Sequence, residues 1–308
     1  MVGNPAVTVI IATYNSSRTL RFALASLVNQ TFNDFEAWIV GDCCTDDSAQ
    51  VVSTFHDARL NWINLDKNSG SQAIPNNEGL RRAKGELIAY LGHDDLWLPH
   101  HLETLVSCIH ANEAALAHSL CPLFKPAGVS ECLGPPGEKA GYEWHFVPPS
   151  CWLHQRAIVD KIGPWRDPDR LAWPVDLDFS RRVALRKLPI ACAPRLTLLK
   201  FPSAFFRLYA SQGDPPQARY WQAIQNDPLG VEMEILSQLA LLLLTDKPIV
   251  HQFTQLARSA LRSLRCMLAP HEPFHTLERI RFQRSRRTTR IQRGLDRRGS
   301  GRLLRSAK

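Results

Sequence analysis

Four short apolar runs in the first 95 residues, separated by stretches with helical spacing, set the strongest limit on the fold. They cover residues 7–12, 35–40, 60–65 and 87–91. The first, Val7-Thr8-Val9-Ile10-Ile11-Ala12, is β-branched and bounded by Asn4-Pro5 and Asn15-Ser16-Ser17, the pattern of a strand covered on both faces. After it, Leu20, Ala23, Leu24, Leu27 and Val28 recur at helical spacing behind a Ser16 or Ser17 cap. Thr45-Asp46-Asp47-Ser48 opens a second helix, with Asp46 and Asp47 as its capping acids, and a third is predicted over about 74–83. This alternation predicts an α/β fold with a mainly parallel sheet flanked by helices. Right-handed crossovers put the strands' carboxyl ends on one edge, where open α/β sheets bind ligands. Three loops then share that edge: Thr13-Tyr14-Asn15, residues 42–46 and residues 92–95.

The fourth run discharges into Gly92-His93-Asp94-Asp95, two adjacent carboxylates followed by Trp97, Pro99 and a helix predicted over 99–115. Alone, such a pair reads equally as a helix cap. No G-x-G-x-x-G follows the first strand and no G-x-x-x-x-G-K-[ST] occurs, so a dinucleotide fingerprint and a P-loop are both absent from the sequence. An α/β protein that binds phosphate without a glycine loop needs another source of positive charge. A divalent cation held by one or two carboxylates is the usual one.

Further motifs give that edge a ligand. Residues 7–15 resemble the first strand of the family 2, GT-A-fold glycosyltransferases, and Val40-Gly41-Asp42-Cys43-Cys44-Thr45-Asp46 resembles their V-D-D-G-S-T-D. Asn77-Glu78-Gly79-Leu80 with Ala83-Lys84-Gly85-Glu86-Leu87-Ile88 is similar to the N-x-G-L…A-x-G-E-x-I approach to the metal strand, and Leu91-Gly92-His93-Asp94-Asp95 stands where that family carries L-D-x-D-D. The resemblance covers residues 5–115 and extends more weakly to 210. It implies a Rossmann-like GT-A sheet and transfer from a nucleotide-diphosphate sugar. Ala12, Thr13, Tyr14 and Asn77 are then expected in the nucleotide site, with Tyr14 offering a ring face. Asp42 is expected on the base, Asp94 on Mn²⁺ or Mg²⁺, and Asp95 supporting the metal or the ribose-phosphate side.

Residues 173–182, Trp-Pro-Val-Asp-Leu-Asp-Phe-Ser-Arg-Arg, resemble the family's E-D-x-D-L-x-x-R segment. This puts Asp176 on the catalytic base of an inverting transfer, with Arg182 on the motif's Arg. Trp152, His154 and Trp173 are the expected acceptor platform. The chain departs from the pattern at Gly41 and Gly92, where the family has Asp, at Cys43-Cys44 for Gly-Ser, and at Val175 for Glu. These departures keep open a nucleotide-sugar-binding protein without catalysis. A sugar nucleotidyltransferase ranks lower, because Thr13-Tyr14-Asn15-Ser16-Ser17-Arg18 lacks a glycine-rich loop.

At 308 residues the chain has room for this domain, expected over 1–225, a helical extension over 226–270 and an Arg-rich tail over 271–308. The net charge of +8 belongs to the tail: residues 279–308 hold eleven Arg and one Lys against Asp296 alone. Helices are expected over 231–244 and 250–267, the second amphipathic and beside the tail. That pairing suggests peripheral contact with an anionic membrane rather than nucleic acid. Eight cysteines without a C-x-x-C read as scattered reduced thiols, and no basic n-region opens the chain. The expected location is therefore the cytoplasm or the inner face of a membrane, and the expected role cell-envelope polysaccharide or glycoconjugate synthesis. The acceptor would be a carbohydrate or glycolipid.

Overall fold

The computed structural model describes residues 3–134, 142–143, 146–171, 174–206, 208 and 213–244. They belong almost entirely to one compact unit, Met1–Pro168 with Pro174–Asp246. Residue 173, the helix expected over 250–267 and the Arg-rich tail lie outside the described residues.

The first half alternates as its periodicity predicts. β1 (Val7–Thr13), α1 (Ser17–Val28), β2 (Phe35–Gly41), α2 (Ser48–Ser53), β3 (Leu60–Asn64), α3 (Ala73–Arg82) and β4 (Leu87–Tyr90) follow in order. β2 and β4 pair with β1 in parallel on its two sides, and β3 extends β2. Val7, Val9, Ile10 and Ile11 are all fully buried, because helices cover both faces of the sheet and remove any period-2 alternation. In register, Thr13 lies opposite Gly41 and Ile10 opposite Tyr90. The three strands therefore end at one edge.

The second half closes the sheet with strands of mixed direction. It contains β5 (Leu96–Trp97), α4 (His101–Ala111), β6 (Leu116–Lys125), β7 (Gly128–Leu133) and β8 (Trp152–Gln155). There follow α5 (Ile158–Ile162), α6 (Val175–Leu185), β9 (Ile190–Leu196), β10 (Leu198–Leu199), α7 (Ser203–Phe206), α8 (Gln217–Asn226) and α9 (Pro228–Leu244). The main sheet runs β3-β2-β1-β4-β8-β6-β7, with β9 also on β6. β8 is antiparallel to both β4 and β6, and β10 pairs with β5 in a separate antiparallel ribbon. The Pro- and Gly-rich sequence from 121 reads as loops and short strands, yet β6 continues as a strand to Lys125. Pro122 has no N–H to give, but its carbonyl accepts the Lys200 amide at 3.1 Å, and Phe124 donates back to the Lys200 carbonyl at 2.9 Å. Long-range pairing thus offsets a weak local preference.

Two local details differ from the sequence reading. Neither Ser16 nor Ser17 caps α1 through its side chain; the Ser16 hydroxyl donates to the Tyr14 carbonyl instead. The cap is Asp46, whose carboxylate accepts the Ser17 amide at 2.9 Å and the Ser48 amide at 3.2 Å. One acid thereby faces the positive ends of both α1 and α2 and ties their loops together. At the other end, Val231 and Ile235 of α9 are buried with Leu96, Phe124, Leu199 and Phe201. The expected boundary at 226 falls inside this packed cluster.

Candidate active site

The edge where β1, β2 and β4 end carries most of the predicted residues. The Asp42 amide donates to the Thr13 carbonyl at 2.8 Å, and the Asn15 carboxamide accepts the Thr45 amide at 2.8 Å. On the other side, His93 Nδ1 lies 3.1 Å from the Ala12 carbonyl. The loops at 13–15, 42–46 and 92–95 are therefore joined, as the topology requires. Ala12 and Tyr14 are half-buried and Thr13 is buried, its hydroxyl without a hydrogen bond among the described residues. Asp42 is buried, and its carboxylate accepts the Ser69 amide at 2.8 Å and the Gly70 amide at 3.1 Å. Gly70 takes φ +71° to aim that amide. A carboxylate has about four acceptor positions, so two backbone donors leave capacity for a ligand N–H.

The departures at the second strand have a structural compensation. A Cβ on Gly41 would lie 2.5 Å from Asn64 Oδ1 and 2.8 Å from the Trp62 ring. Asn64 fills that space and clasps Cys44, accepting its amide at 2.8 Å and donating to its carbonyl at 2.9 Å. Cys43 holds φ +63°, the left-handed region in which the family's Gly is at ease.

Asp94 and Asp95 diverge. Asp94 turns one oxygen, Oδ2, to the Ser203 amide at 3.0 Å and to the Ser203 hydroxyl. Among the described residues no donor reaches Asp94 Oδ1. Asp95 is fully buried and spends its carboxylate inside the protein. Its Oδ1 accepts the Phe201 amide at 3.0 Å, and its Oδ2 accepts the Lys200 ammonium at 2.7 Å and the Ser150 hydroxyl. This corrects the expected nucleotide role of Asp95: the β5–β10 ribbon draws residues 198–201 under it, and no face is left for ribose or phosphate. Burial works against charge on Asp94, yet Lys200, His93 and the Ser203 donors hold its carboxyl below the ordinary value. Burial pushes Asp95 up, while it opposes the Lys200 ammonium, which Asp95 and Asp94 nevertheless hold above the usual lysine value. Lys200, Ser203 and Gln217, whose side chain donates to the Asp94 carbonyl at 2.6 Å, were invisible to sequence reasoning. They lie more than 100 residues downstream, with no local pattern to mark them.

Three further residues are placed differently from expectation. Trp152 and His154 are fully buried, because β8 lies mid-sheet between β4 and β6. They pack with Tyr90, Trp165 and Phe179; Trp165 and Phe179 stack at 4.8 Å, and Tyr90 meets Trp165 edge-on at 5.1 Å. Within this cluster Trp165 Nε1 donates to the Tyr90 hydroxyl at 3.0 Å, which meets His154 Nε2 at 3.2 Å. Burial lowers the His154 pKa to about 4, so the ring is neutral and serves the core, not an acceptor. Asn77, expected on the nucleotide, instead clamps the Trp165 backbone, donating to its carbonyl at 2.8 Å and accepting its amide at 2.9 Å.

Asp176 stands in the first turn of α6, part-exposed, one helical turn before Phe179, whose ring packs on Tyr90 of β4. Asp178 is taken up by Arg182 at 2.9 Å and Arg166 at 3.5 Å. Arg182 also donates to the carbonyls of Ile162, Gly163 and Pro164, closing the carboxyl end of α5. The motif's Arg and second Asp thus lock α6 against α5, leaving Asp176 outside that pair.

A divalent cation fits this site on narrow terms. Among the described residues no three His, Cys, Asp or Glu side chains are grouped to hold a metal. The open Asp94 Oδ1, bordered by the space over Gly92, suits an ion whose other ligands are water and substrate phosphates.

Residues 8–128 match the family described as Glycosyl transferase family 2. An uncharacterized glycosyltransferase of Nostoc sp. is 30% identical over 172 residues, 51% of this chain and 53% of that protein. A putative teichuronic acid biosynthesis glycosyltransferase of Bacillus subtilis, TuaG, is 34% identical over 101 residues, 32% of this chain and 40% of that one. The chain therefore spans about half the length of the curated relatives it matches. Among solved structures, Staphylococcus aureus TarS 1–349 in complex with UDP-GlcNAc superposes with a TM-score of 0.58 at 20% identity, covering 83% of this chain and 72% of that one. Residues 8–128 thus match glycosyltransferase family 2, and the sheet order and loop edge described above, with the TarS superposition, show a GT-A-like fold.

Proposed function

We propose that this protein is an inverting glycosyltransferase that moves a sugar from a nucleoside-diphosphate donor, a UDP-sugar, to a hydroxyl acceptor. The observation that carries this reading is the joining of the 13–15, 42–46 and 92–95 loops at one sheet edge, with Asp94 Oδ1 left open there. Ala12, Thr13 and Tyr14 line the base side, and the spare acceptor capacity of Asp42 takes a base N–H. Asp94 would hold Mn²⁺ or Mg²⁺, which would supply positive charge to the leaving diphosphate. Asp176 takes the acceptor's proton as its oxygen attacks the anomeric carbon; the bond to the diphosphate breaks on the opposite face. The aromatic cluster acts indirectly, packing the helix that bears Asp176 against the strand that leads to Asp94.

The TarS structure holds UDP-GlcNAc and TuaG is named for teichuronic acid biosynthesis, which supports a UDP-sugar donor and a role in cell-envelope polysaccharide. The basic tail supports peripheral contact with an anionic membrane, where a glycolipid acceptor would be presented. Among the described residues no helix is long and apolar enough to cross one. A second reading, donor binding without transfer, is favoured by the sealed Asp95 and by Gly92. Replacing Asp176 by Asn separates the two. Transfer reading: UDP release from the donor is lost in the variant while donor binding persists. Equal UDP release by variant and wild type would remove Asp176 from the mechanism, and no release by the wild type with any donor would favour the second reading.

A further inference from the structure

The family pattern puts three acids at the end of the metal strand, and this chain changes that charge in two ways. Position 92 is glycine, and a Cβ there would lie 2.6 Å from Asp95 Oδ2 and 3.0 Å from Asp94 Oδ1. The two carboxylates thus lean over the space an acid side chain would need. In addition, Lys200 brings its ammonium to 2.7 Å from Asp95 Oδ2. Two carboxylates and one ammonium give the cradle a formal charge of −1. Three carboxylates with one divalent cation give the same charge. The chain has therefore built into its own sequence the neutralisation that the pattern leaves to an ion.

The position of Lys200 is fixed from several directions. Its backbone is bonded on both sides to β6, through the Pro122 carbonyl and the Phe124 amide. The next residue, Phe201, donates its amide to Asp95, and Ser203 beyond it donates twice to Asp94. One short segment, 200–203, thus clasps both acids. The Lys200 side chain is 19% exposed whereas Asp95 is sealed, so the lysine is the member of this ion pair that retains access to solvent. Nothing in the motifs of the resemblance assigns a role to this residue.

We infer that Lys200 is a diphosphate-binding residue, a resident cation that lets the site hold the donor's diphosphate without a metal ion. The inference rests on the donor reading above. A carboxylate–ammonium pair has donor capacity to spare, since an ammonium carries three N–H groups and Asp95 uses one. Charge-assisted contacts of this kind are the strong ones for phosphate oxygens. Any metal then acts beside Lys200 rather than as the sole counter-charge.

The test is direct binding of UDP and of inorganic pyrophosphate to the full chain by calorimetry, in chelator and again with Mn²⁺. Wild type is expected to bind both probes in chelator. Lys200→Met is expected to lose about tenfold in chelator, the worth of one charge-assisted contact, and to recover part of it with Mn²⁺; Lys200→Arg should stay near wild type. Because Lys200→Met strands a buried carboxylate, the pair Asp95→Asn and Asp95→Asn/Lys200→Met gives the same comparison without an orphaned charge. The single variant should bind pyrophosphate in chelator at least as tightly as wild type, and the double about tenfold more weakly than the single. Equal affinity of the single and double variants overturns the role of Lys200 while leaving the donor reading intact. Failure of wild type to bind either probe, even with Mn²⁺, overturns the donor reading and this inference together.

Discussion

Replacing Asn77 by Ala separates a structural tie from a ligand contact. The Asn77 side chain makes two hydrogen bonds to the Trp165 backbone, at 2.8 and 2.9 Å, joining α3 to the turn that carries Trp165. Each is worth about 1 kcal/mol net, so the variant should lose about 2 kcal/mol. The loss is not relieved by water, because Trp165 is 2% exposed and packed against Phe179 and Tyr90. For a domain of this size that corresponds to a fall in Tm of about 4–8 °C. UDP affinity should move by no more than about twofold, since the side chain has both polar ends on protein. Thermal unfolding and UDP titration on the same preparation give the two numbers. An unchanged Tm with UDP binding weakened about tenfold would refute the structural reading and return Asn77 to the nucleotide site.

Two further outcomes follow from the same geometry. Folded His154 takes a proton only near pH 4, whereas the unfolded imidazole does so near 6.5. Between those values the unfolded chain binds more protons, so stability falls as pH drops, by about 3 kcal/mol across the window. Denaturant melts of His154→Phe, less stable overall, should lack that part of the slope; an identical pH dependence contradicts the neutral ring. Gly41→Asp, which restores the family's acid, should cost about 1–3 kcal/mol through the clash with Asn64 and Trp62. Gly41→Asp/Asn64→Ala should recover part of that cost in the same melts, and an additive loss would deny that Asn64 fills the space.

The parallel half of the fold was legible because its signals are local. β-branched runs, helical spacing and loop residues all agree within each segment of residues 7–91, so the alternating elements followed from local pattern and the shared loop edge from crossover handedness. The antiparallel half was not. The strand β6 depends on pairing with β8, β9 and the Lys200 segment, none of which is adjacent in sequence. The same reason explains the misplaced site residues. Trp152 and His154 looked like an acceptor wall because aromatics next to polar groups suit sugar rings; only the insertion of β8 between β4 and β6 shows them as core. Asp94 and Asp95 are indistinguishable as a dipeptide, and what separates them is the 200–203 segment arriving from far along the chain. Asp46 was legible as a cap, though not as one acid serving two helices.

The central claim is that the edge formed by the Tyr14, Asp42 and Asp94 loops binds a nucleotide-sugar. The most direct measurement is thermal unfolding with a panel of nucleoside-diphosphate sugars, with and without Mn²⁺, on wild type and on Asp42→Ala. At least one UDP-sugar should raise the wild-type Tm, and Asp42→Ala should lose that rise while the same sugar with a different base gives none. No shift with any nucleotide-sugar in either metal condition, or an equal shift in Asp42→Ala, would contradict the account.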